Sequence, residues 1–266
     1  MSGRGPTYNS RMKLLAFELS TEACSVALWV DGDVRGRHEI APRRHAELAL
    51  PWAEALLAEA GIAKSQLDAV AVGRGPGAFT GVRLGVAIAQ GIALALDRPA
   101  VPVSTLAALA LRAVPLGAGL VDARGDDAGD RVFAAIDARM REVYVAAFAF
   151  ERGIDGGLHP RPLDDARVQP PDAAMPPGEV TGWYGVGTAL AAEGGALRTR
   201  LAPRLRAVDA DALPHATDVA ALAHAAFLRG EAVAPEQLEP AYLRNQVALT
   251  LVEQQALRAR RDAGAP

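Results

Sequence analysis

Three strand-like segments, followed by alternating helix and strand patterns, make up roughly the first hundred residues of this chain. In chain order they are strands 14–19, 25–30 and 34–40, helix 44–60, strand 68–73, helix 78–96 and strand 100–104. The later strands are continuous apolar runs, which is typical of a sheet that is covered on both faces. The order β-β-β-α-β-α therefore predicts an α/β lobe built on a mixed sheet.

The second half repeats this order in a degraded form. Strand patterns resume at 132–137 and 143–150, an irregular Pro/Gly/Asp-rich stretch covers 153–178, and strand 180–184 and helix 216–229 follow. Ribonuclease-H-like domains and the halves of actin-like ATPases use this order, so we expect two βββαβα-type lobes, the second of them degenerate. The predicted organisation is a disordered extension at 1–11, a first lobe at 12–115, a linker at 116–130, a second lobe at 131–248 and a C-terminal helix or tail at 249–266.

Charge and cysteine content exclude several classes of protein. The 266 residues carry 28 Lys and Arg against 31 Asp and Glu, a net charge of −3, and half of them are hydrophobic. This apolar content is too high for a disordered chain. The single cysteine, Cys24, excludes a disulfide scaffold and any multi-cysteine metal site. A strongly basic nucleic-acid binder is excluded as well, although a local basic patch remains open.

No membrane or secretory segment is predicted. Residues 1–11 contain no apolar run of the kind that a secretory signal needs, and we expect the native start to lie near Met12. The most apolar stretch, 82–96, is interrupted by Arg83 and Gln90 and is shorter than a membrane span. The sequence therefore predicts a cytoplasmic protein.

A glycine-rich turn at 73–85 joins a buried strand to a helix. Its glycines and the helix start could hold an anion, or they could serve close packing. The turn lacks the Gly-Lys-Ser/Thr of a phosphate-binding P-loop. Small residues recur every four positions at Gly77, Gly81, Gly85, Ala89 and Ala93. Such a stripe lets another backbone approach closely, either inside the lobe or in a second subunit, and the spacing leaves both alternatives open.

Five segments resemble the TsaB (YeaZ) family, the dimerisation subunits of the bacterial tRNA threonylcarbamoyladenosine machinery. They are 19–28 (LSTEACSVAL), 73–85 (GRGPGAFTGVRLG), 103–106 (VSTL), 137–144 (DARMREVY) and 240–244 (PAYLR). The catalytic TsaD paralogue shares the glycine-rich segment but uses a His-x-x-x-His pair to bind metal. Here His45 is followed four positions later by Ala49, so that metal pair is missing.

The resemblance implies a non-catalytic scaffold that pairs with a TsaD-type subunit and is joined by a TsaE-type ATPase. The family's complex transfers threonylcarbamoyl to N6 of adenosine 37 in tRNAs that read codons beginning with A. It implies a homodimer when isolated, contact with tRNA through the complex, and no cofactor or metal on this chain, with ATP or ADP and metal on the partners. The implied interface lies on helices 44–60 and 78–96, at His45, Leu48, Trp52, Phe79, Gly81, Val82, Gly85, Val86 and Ala89. On this assignment, Gly81→Trp or Gly85→Trp should abolish association and leave a folded monomer.

A vestigial nucleotide or anion site is a further expectation, at Glu18, Ser20, Thr21, Gly75, Gly77 and Asp137. Actin-like ATPases need an Asp at the end of the first strand and a glycine-rich hairpin at the start of the second lobe. This chain has Glu18 and the glycine-free hairpin 137–142 instead. We therefore expect no independent ATPase activity, and Ser20 and Thr21 should cap the turn after the first strand.

Two rival functions remain at the level of sequence. A ribonuclease-H-like metal nuclease would combine Glu18 with Glu47 or Glu54 and an acid after the fourth strand, but that last place holds Gly73 and Arg74. A small-molecule kinase of the actin-like superfamily would need glycines in the second hairpin. Neither set of residues is complete.

Overall fold

The computed structural model describes residues 12–118, 130–153 and 155–244. It contains two mixed β-sheets, each with helices packed against it, as predicted for an actin-like α/β fold. The predicted extension at 1–11, most of the linker and the tail at 249–266 lie outside the described residues.

The first sheet has the strand order β3-β2-β1-β4-β5. Its strands are β1 Lys13–Glu18, β2 Ala23–Val30, β3 Asp33–Ile40, β4 Ala69–Gly73 and β5 Ala100–Val103. β1 pairs antiparallel with β2 and parallel with β4, so the sheet is mixed, as the element order predicts. The predicted strands of this lobe are confirmed to within two residues at each end, because their apolar runs are continuous and turn residues bound them.

Helices cover both faces of the first sheet. α1 His45–Ala60 and α2 Phe79–Leu96 share one hydrophobic core with the side chains of one sheet face, among them Leu15, Phe17 and Val72. On the opposite face, the core contains Leu14, Ala16 and small side chains of α5 Ala216–Leu228.

The second sheet has the strand order β11-β10-β6-β7-β8, and β9 also pairs with β7. Its strands are β6 Arg131–Arg139, β7 Glu142–Arg152, β8 Leu158–Pro162, β9 Arg167–Gln169, β10 Trp183–Val186 and β11 Leu205–Asp209. α3 Thr105–Ala110 packs on one face and α4 Ala192–Leu201 on the other. The prediction of an irregular 153–178 is wrong, because β8 and β9 lie there, and the strand predicted at 180–184 starts at Trp183.

The two lobes exchange helices. α3 follows the first sheet in sequence but packs on the second sheet, whereas α5 follows the second sheet and covers the first. The predicted assignment of 131–248 to the second lobe is therefore wrong for α5, which is an integral layer of the first lobe.

α2 has the length and apolar character of a membrane span, with a mean hydropathy of 1.6 over 18 residues. Among the described helices, it alone meets both criteria. A helix in a domain core meets the same criterion. Here the face of α2 that carries Val86, Ala89 and Ala93 is buried against the first sheet.

Candidate functional site around the glycine-rich turn

A cleft of about 690 Å³ opens between the two lobes. We call it the inter-lobe cleft. Its walls come from the turn after β1, the N-terminal part of α2, the end of β6 and the segment that follows α5, residues 20–22, 77–82, 136–139 and 241–244. The expected vestigial site falls in this region, so the position of each of its residues can be compared with the chemistry proposed for it.

Glu18 is sealed behind the cleft wall rather than exposed to it. Its side chain is 1% exposed, and its carboxylate accepts hydrogen bonds from the backbone N–H of Ser20 at 2.8 Å, the Ser20 hydroxyl, and Thr105 Oγ1 at 3.0 Å. Burial raises the pKa of Glu18 despite these three donors. A carboxylate that is enclosed and hydrogen-bonded in this way has no free oxygen for a metal-bound water.

Gly75 and Gly77 allow close packing of the turn. The N–H of Gly75 donates to Thr105 Oγ1 at 3.1 Å, and the N–H of Ala78 donates to the Ser20 carbonyl. A Cβ on Gly77 would lie 2.3 Å from that same carbonyl oxygen. The N–H groups of Gly75 and Ala78 are thus satisfied within the chain, and the anion site at Gly75 and Gly77 stays a prediction that these contacts do not support.

The turn after β1 is held locally, as expected for Ser20 and Thr21. Thr21 Oγ1 accepts the N–H of Ala23 at 3.4 Å, and Ser20 donates to Glu18 as described. His45 adds a third contact: its Nε2 donates to the carbonyls of Thr21 at 3.0 Å and Ala23 at 3.2 Å. His45 is therefore a buried side chain that fixes this turn, and its role in partner binding stays a prediction that these contacts do not support.

The small-residue stripe of α2 faces its own lobe. A Cβ on Gly81 would lie 2.1 Å from the Leu19 carbonyl oxygen, and a Cβ on Gly85 would lie 3.2 Å from Val72. Val82, Val86 and Ala89 are 4%, 6% and 0% exposed. These five residues pack the helix onto the first sheet, and their place in a partner interface stays a prediction that this packing does not support.

The remaining predicted interface residues fall into two groups, half-buried and exposed. Leu48 and Trp52 are half-buried and pack against the core of the first lobe, whereas Phe79 is 48% exposed at the N-terminus of α2. Only Phe79 of the nine is an exposed apolar side chain. With the stripe inward, Gly81→Trp would place an indole inside the lobe, and a folded monomer is no longer the expected result.

A different apolar surface lies on the outer side of α2. Its members are spaced at three and four residues: Leu84, Ala87, Ile88, Gly91, Leu94 and Ala95. Leu84 and Ile88 are half-buried and also pack against the core of the first lobe, whereas the other four are exposed. On α1, Leu50 is 46% exposed. We call these seven residues the outer helix face. On a helical wheel, the exposed residues Ala87 and Leu94 lie opposite the buried side chains Val82, Ala89 and Ala93, so the pattern of α2 does indicate this surface. The predicted interface lies on the small-residue stripe instead.

On the second lobe, the hairpin between β6 and β7 closes the other side of the cleft. Asp137 accepts the N–H of Arg139 at 2.9 Å and pairs with its guanidinium at 3.1 Å. Arg139, Met140 and Arg141 all have positive φ, at 62°, 54° and 59°, in a turn without glycine. The side chains of both arginines are at least 80% exposed. Asp137 is thus occupied by its own turn rather than facing a phosphate.

The segment 240–244 bridges the lobes along the cleft, and we call it the inter-lobe strap. The N–H of Ala241 donates to the Arg74 carbonyl at 2.8 Å, and the Tyr242 hydroxyl accepts from Arg83 Nε at 2.7 Å. Arg244 reaches the second lobe, where it donates to the Ala138 carbonyl at 3.3 Å and pairs closely with Glu142. These residues form one of the five segments that resemble the family, and the sequence alone predicts no role for them.

The groups that the rival functions need are not brought together. Glu47 lies beside Arg44, Glu54 pairs with Lys64 at 2.7 Å, and Glu18 is enclosed. Within 12–118, 130–153 and 155–244 no group of three or more His, Cys, Asp or Glu is placed to hold a metal ion. Burial raises the pKa of the Cys24 thiol to about 11, so this cysteine is not a thiolate nucleophile.

Fold and site together define an actin-like, two-lobed α/β protein in which Glu18 is enclosed and the glycine-rich turn is closely packed against the turn after β1. A family model for TsaD, tRNA N6-adenosine threonylcarbamoyltransferase, matches residues 38–156. The chain is 39% identical over 245 residues to the tRNA threonylcarbamoyladenosine biosynthesis protein TsaB of Escherichia coli K12, covering 89% of this chain and 96% of the relative. The TsaB protein of Haemophilus influenzae is 38% identical and is covered to 95%. A solved structure, YeaZ from Pseudomonas aeruginosa, superposes with a TM-score of 0.74 at 43% identity, over 87% of this chain and all of that one. This chain belongs to the TsaB (YeaZ) family.

Proposed function

We propose that this chain is a non-catalytic subunit that pairs, through its outer helix face, with a TsaD-type catalytic subunit for tRNA threonylcarbamoyladenosine synthesis. The observation that carries the proposal is the outer helix face itself. Leu94 and Leu50 are 48% and 46% exposed, and a Cβ on Gly91 would meet nothing within 4 Å. Apolar residues that are contiguous on a surface are typical of a protein–protein contact.

The enclosed Glu18 and the occupied N–H groups of the glycine-rich turn support a role without chemistry of its own. ATP or ADP and the metal then belong to the partners, a TsaD-type subunit and a TsaE-type ATPase, and tRNA is reached through the assembly. In the absence of a partner, two copies of this chain would cover the outer helix face in a homodimer. A cytoplasmic location follows from the reaction proposed, since tRNA is modified there.

Co-purification tests the proposal. The tagged full chain should capture a longer TsaD-type paralogue that carries a His-x-x-x-His helix, and Ala87→Glu combined with Leu94→Glu, both at exposed positions, should abolish that capture. The carboxylates would have to be buried without a partner in the interface, which costs several kcal/mol. Met175→Glu is the matched control, because Met175 is equally exposed, at 48%, but lies in the second lobe.

Gel filtration of the same variants addresses the homodimer. The isolated wild-type chain and Met175→Glu should elute as dimers, and the Ala87/Leu94 double variant as a monomer with an unchanged circular dichroism spectrum. Capture of the paralogue by the double variant at the wild-type level would contradict the interface. Metal-dependent RNA cleavage or phosphotransfer by the purified chain would contradict the non-catalytic role.

A further inference from the structure

Arginines and exposed aromatic rings meet at the mouth of the inter-lobe cleft on the first-lobe side. The guanidinium of Arg83 lies 3.6 Å from the ring centroid of Phe79 and 5.4 Å from that of Tyr242. The two rings are 48% and 49% exposed. Arg43 lines the same cleft, and the Arg74 carbonyl accepts the N–H of Ala241, next to Tyr242. We call these five residues the Arg–aromatic patch: Arg43, Arg74, Phe79, Arg83 and Tyr242.

The cations of this patch are not neutralised within the described parts of the chain. Arg43, Arg74 and Arg83 have no carboxylate within 4.0 Å there, whereas nearby Arg44 and Arg244 are each paired with a glutamate. Arg139 and Arg141, on the opposite wall, also have carboxylate partners. The acidic side chains that line the cleft are Glu22 and Asp137, and Asp137 is occupied by Arg139. Positive charge is therefore concentrated on the first-lobe rim although the whole chain carries −3.

The patch is also preorganised. The hydrogen bond from Arg83 Nε to the Tyr242 hydroxyl holds the two side chains together, and it uses only one of the nitrogens of the Arg83 guanidinium. Arg43 has a φ of 69°, a left-handed conformation that a residue with a side chain adopts only when its surroundings hold it there. Ordering these side chains in advance lowers the entropy cost of binding an anionic partner.

We infer that the Arg–aromatic patch binds a single-stranded segment of RNA, with the arginines on phosphates and bases stacked on Phe79 and Tyr242. Unpaired arginines interleaved with exposed aromatic rings are the combination that contacts single strands without sequence preference. This inference deepens the proposed function, because it gives the chain a direct contact with RNA instead of contact only through partners. An acidic peptide is the other class of molecule that could use the same charges, and the experiment separates the two.

The experiment measures binding of the full chain to a fluorescein-labelled 12-nucleotide single-stranded RNA by fluorescence anisotropy. At low salt we expect a Kd on the order of 10⁻⁵ M, in the usual range for sequence-independent contacts. Phe79→Ala and Tyr242→Ala should each weaken binding about tenfold without changing the salt dependence, since they remove stacking. Arg43→Gln or Arg74→Gln should lower the slope of log K against log salt by about 0.7, the value for one phosphate contact on a single strand.

Arg206→Gln is the matched control, since Arg206 is exposed on β11, stacks near Tyr184 and lies outside the cleft. It should bind RNA as the wild type does. The inference is overturned if the four patch variants bind like Arg206→Gln, or if a 12-residue polyglutamate displaces the RNA at equal concentration, which would point to an acidic protein partner. None of these results depends on the TsaD-type paralogue, so failure here leaves the co-purification test of the proposed function intact.

Discussion

Gly81 and Gly91 of α2 differ in what surrounds them, and a single methyl group should have opposite effects at the two positions. A Cβ at Gly81 would lie 2.1 Å from the Leu19 carbonyl oxygen, whereas one at Gly91 would meet nothing within 4 Å. We expect Gly81→Ala to lower the free energy of unfolding by about 2–3 kcal/mol through overpacking. Gly91→Ala should raise it by about 0.5–1 kcal/mol, because alanine loses less backbone entropy in a helix. Urea unfolding of the isolated chain measures both, and equal effects would contradict the inward orientation of the stripe.

Glu18 should make the protein less stable as the pH rises, the opposite of a paired surface carboxylate. Burial raises the pKa of Glu18 above its usual 4.5, so ionising it costs more in the folded than in the unfolded state. Its contribution to stability is complete below pH 4.5 and decreases as the pH rises through the folded-state pKa. Glu18→Gln should therefore remove this decrease while keeping hydrogen-bond partners for Ser20 and Thr105. Urea midpoints at pH 5 and pH 8 measure it, and an unchanged difference between them would contradict the assignment.

At the scale of elements, the N-terminus of α5 carries two groups with opposite pH dependence. Burial, with His38 and Arg112 nearby, lowers the pKa of His215 to about 4, and burial raises the pKa of Asp218 to about 6 although Arg112 lies 3.3 Å away. As the pH falls from about 6.5 to 4, the unfolded state gains the His215 proton and stability is lost. Over about pH 6 to 4 the folded state gains the Asp218 proton, and this offsets the loss.

Asp218→Asn should remove the compensating titration, so that the pH dependence of stability due to His215 is no longer offset. In this variant, the unfolding midpoint in urea should fall more steeply between pH 6.5 and pH 5 than in the wild type. Asp172→Asn is a suitable control, because the Asp172 side chain is exposed and lies in the other lobe. Parallel pH profiles for Asp218→Asn and wild type would contradict the opposed titration.

The inter-lobe strap is an element whose role depends on contacts at both of its ends. Arg244→Met removes the hydrogen bond to the Ala138 carbonyl and the ion pair with Glu142, while keeping an apolar stem of similar length. We expect a loss of about 1–2 kcal/mol, typical of hydrogen bonds to a charged group, and faster hydrogen exchange in the β6–β7 hairpin. Arg141→Met is the control, because the Arg141 side chain is 86% exposed and lies 3.9 Å from Glu193. Equal exchange in both variants would mean that the strap does not hold the lobes.

The sequence predicts some elements well and others not at all, for physical reasons. β1, β4 and α2 are long apolar runs or amphipathic patterns that end at glycine or charge, so local sequence is sufficient for them. β8 (LHPRP) and β11 (LRAVD) are short, partly exposed and rich in Pro or Arg, and their pairing with neighbouring strands rather than propensity makes them strands.

The candidate site was predicted in its location but not in its orientation. The glycine-rich turn, Glu18 and Asp137 do meet around one cleft, as the order of elements implies. Which side of α2 faces the sheet, and whether Glu18 is open or enclosed, depend on contacts with Leu19, Ser20 and Thr105. Those contacts join residues up to 87 positions apart, and no local pattern specifies them.

At the scale of the whole molecule, the exchange of α3 and α5 should make the two lobes unfold together. Without α5, one face of the first sheet would expose Leu14, Ala16 and Ala71 to water, and without α3 the second sheet would lose a layer as well. Neither lobe can bury its apolar surface alone. If one lobe unfolded by itself, the other would lose the helix that covers one face of its sheet, and that apolar face would be exposed to water. A division at the linker 116–130 would instead predict two independent transitions.

Tryptophan fluorescence can report on each lobe separately, because Trp29 and Trp52 lie in the first lobe and Trp183 in the second. Trp183→Phe confines the signal to the first lobe, and Trp29→Phe combined with Trp52→Phe confines it to the second. Each replacement changes stability somewhat, so each fluorescence curve is compared with circular dichroism of the same variant. We expect the two probes to give one coincident midpoint in urea in every case, since the helices that would have to separate belong to both lobes. A lobe whose fluorescence changes well before the circular dichroism signal would show that the exchanged helices do not couple the halves, and the first lobe would then carry the outer helix face as an independent unit.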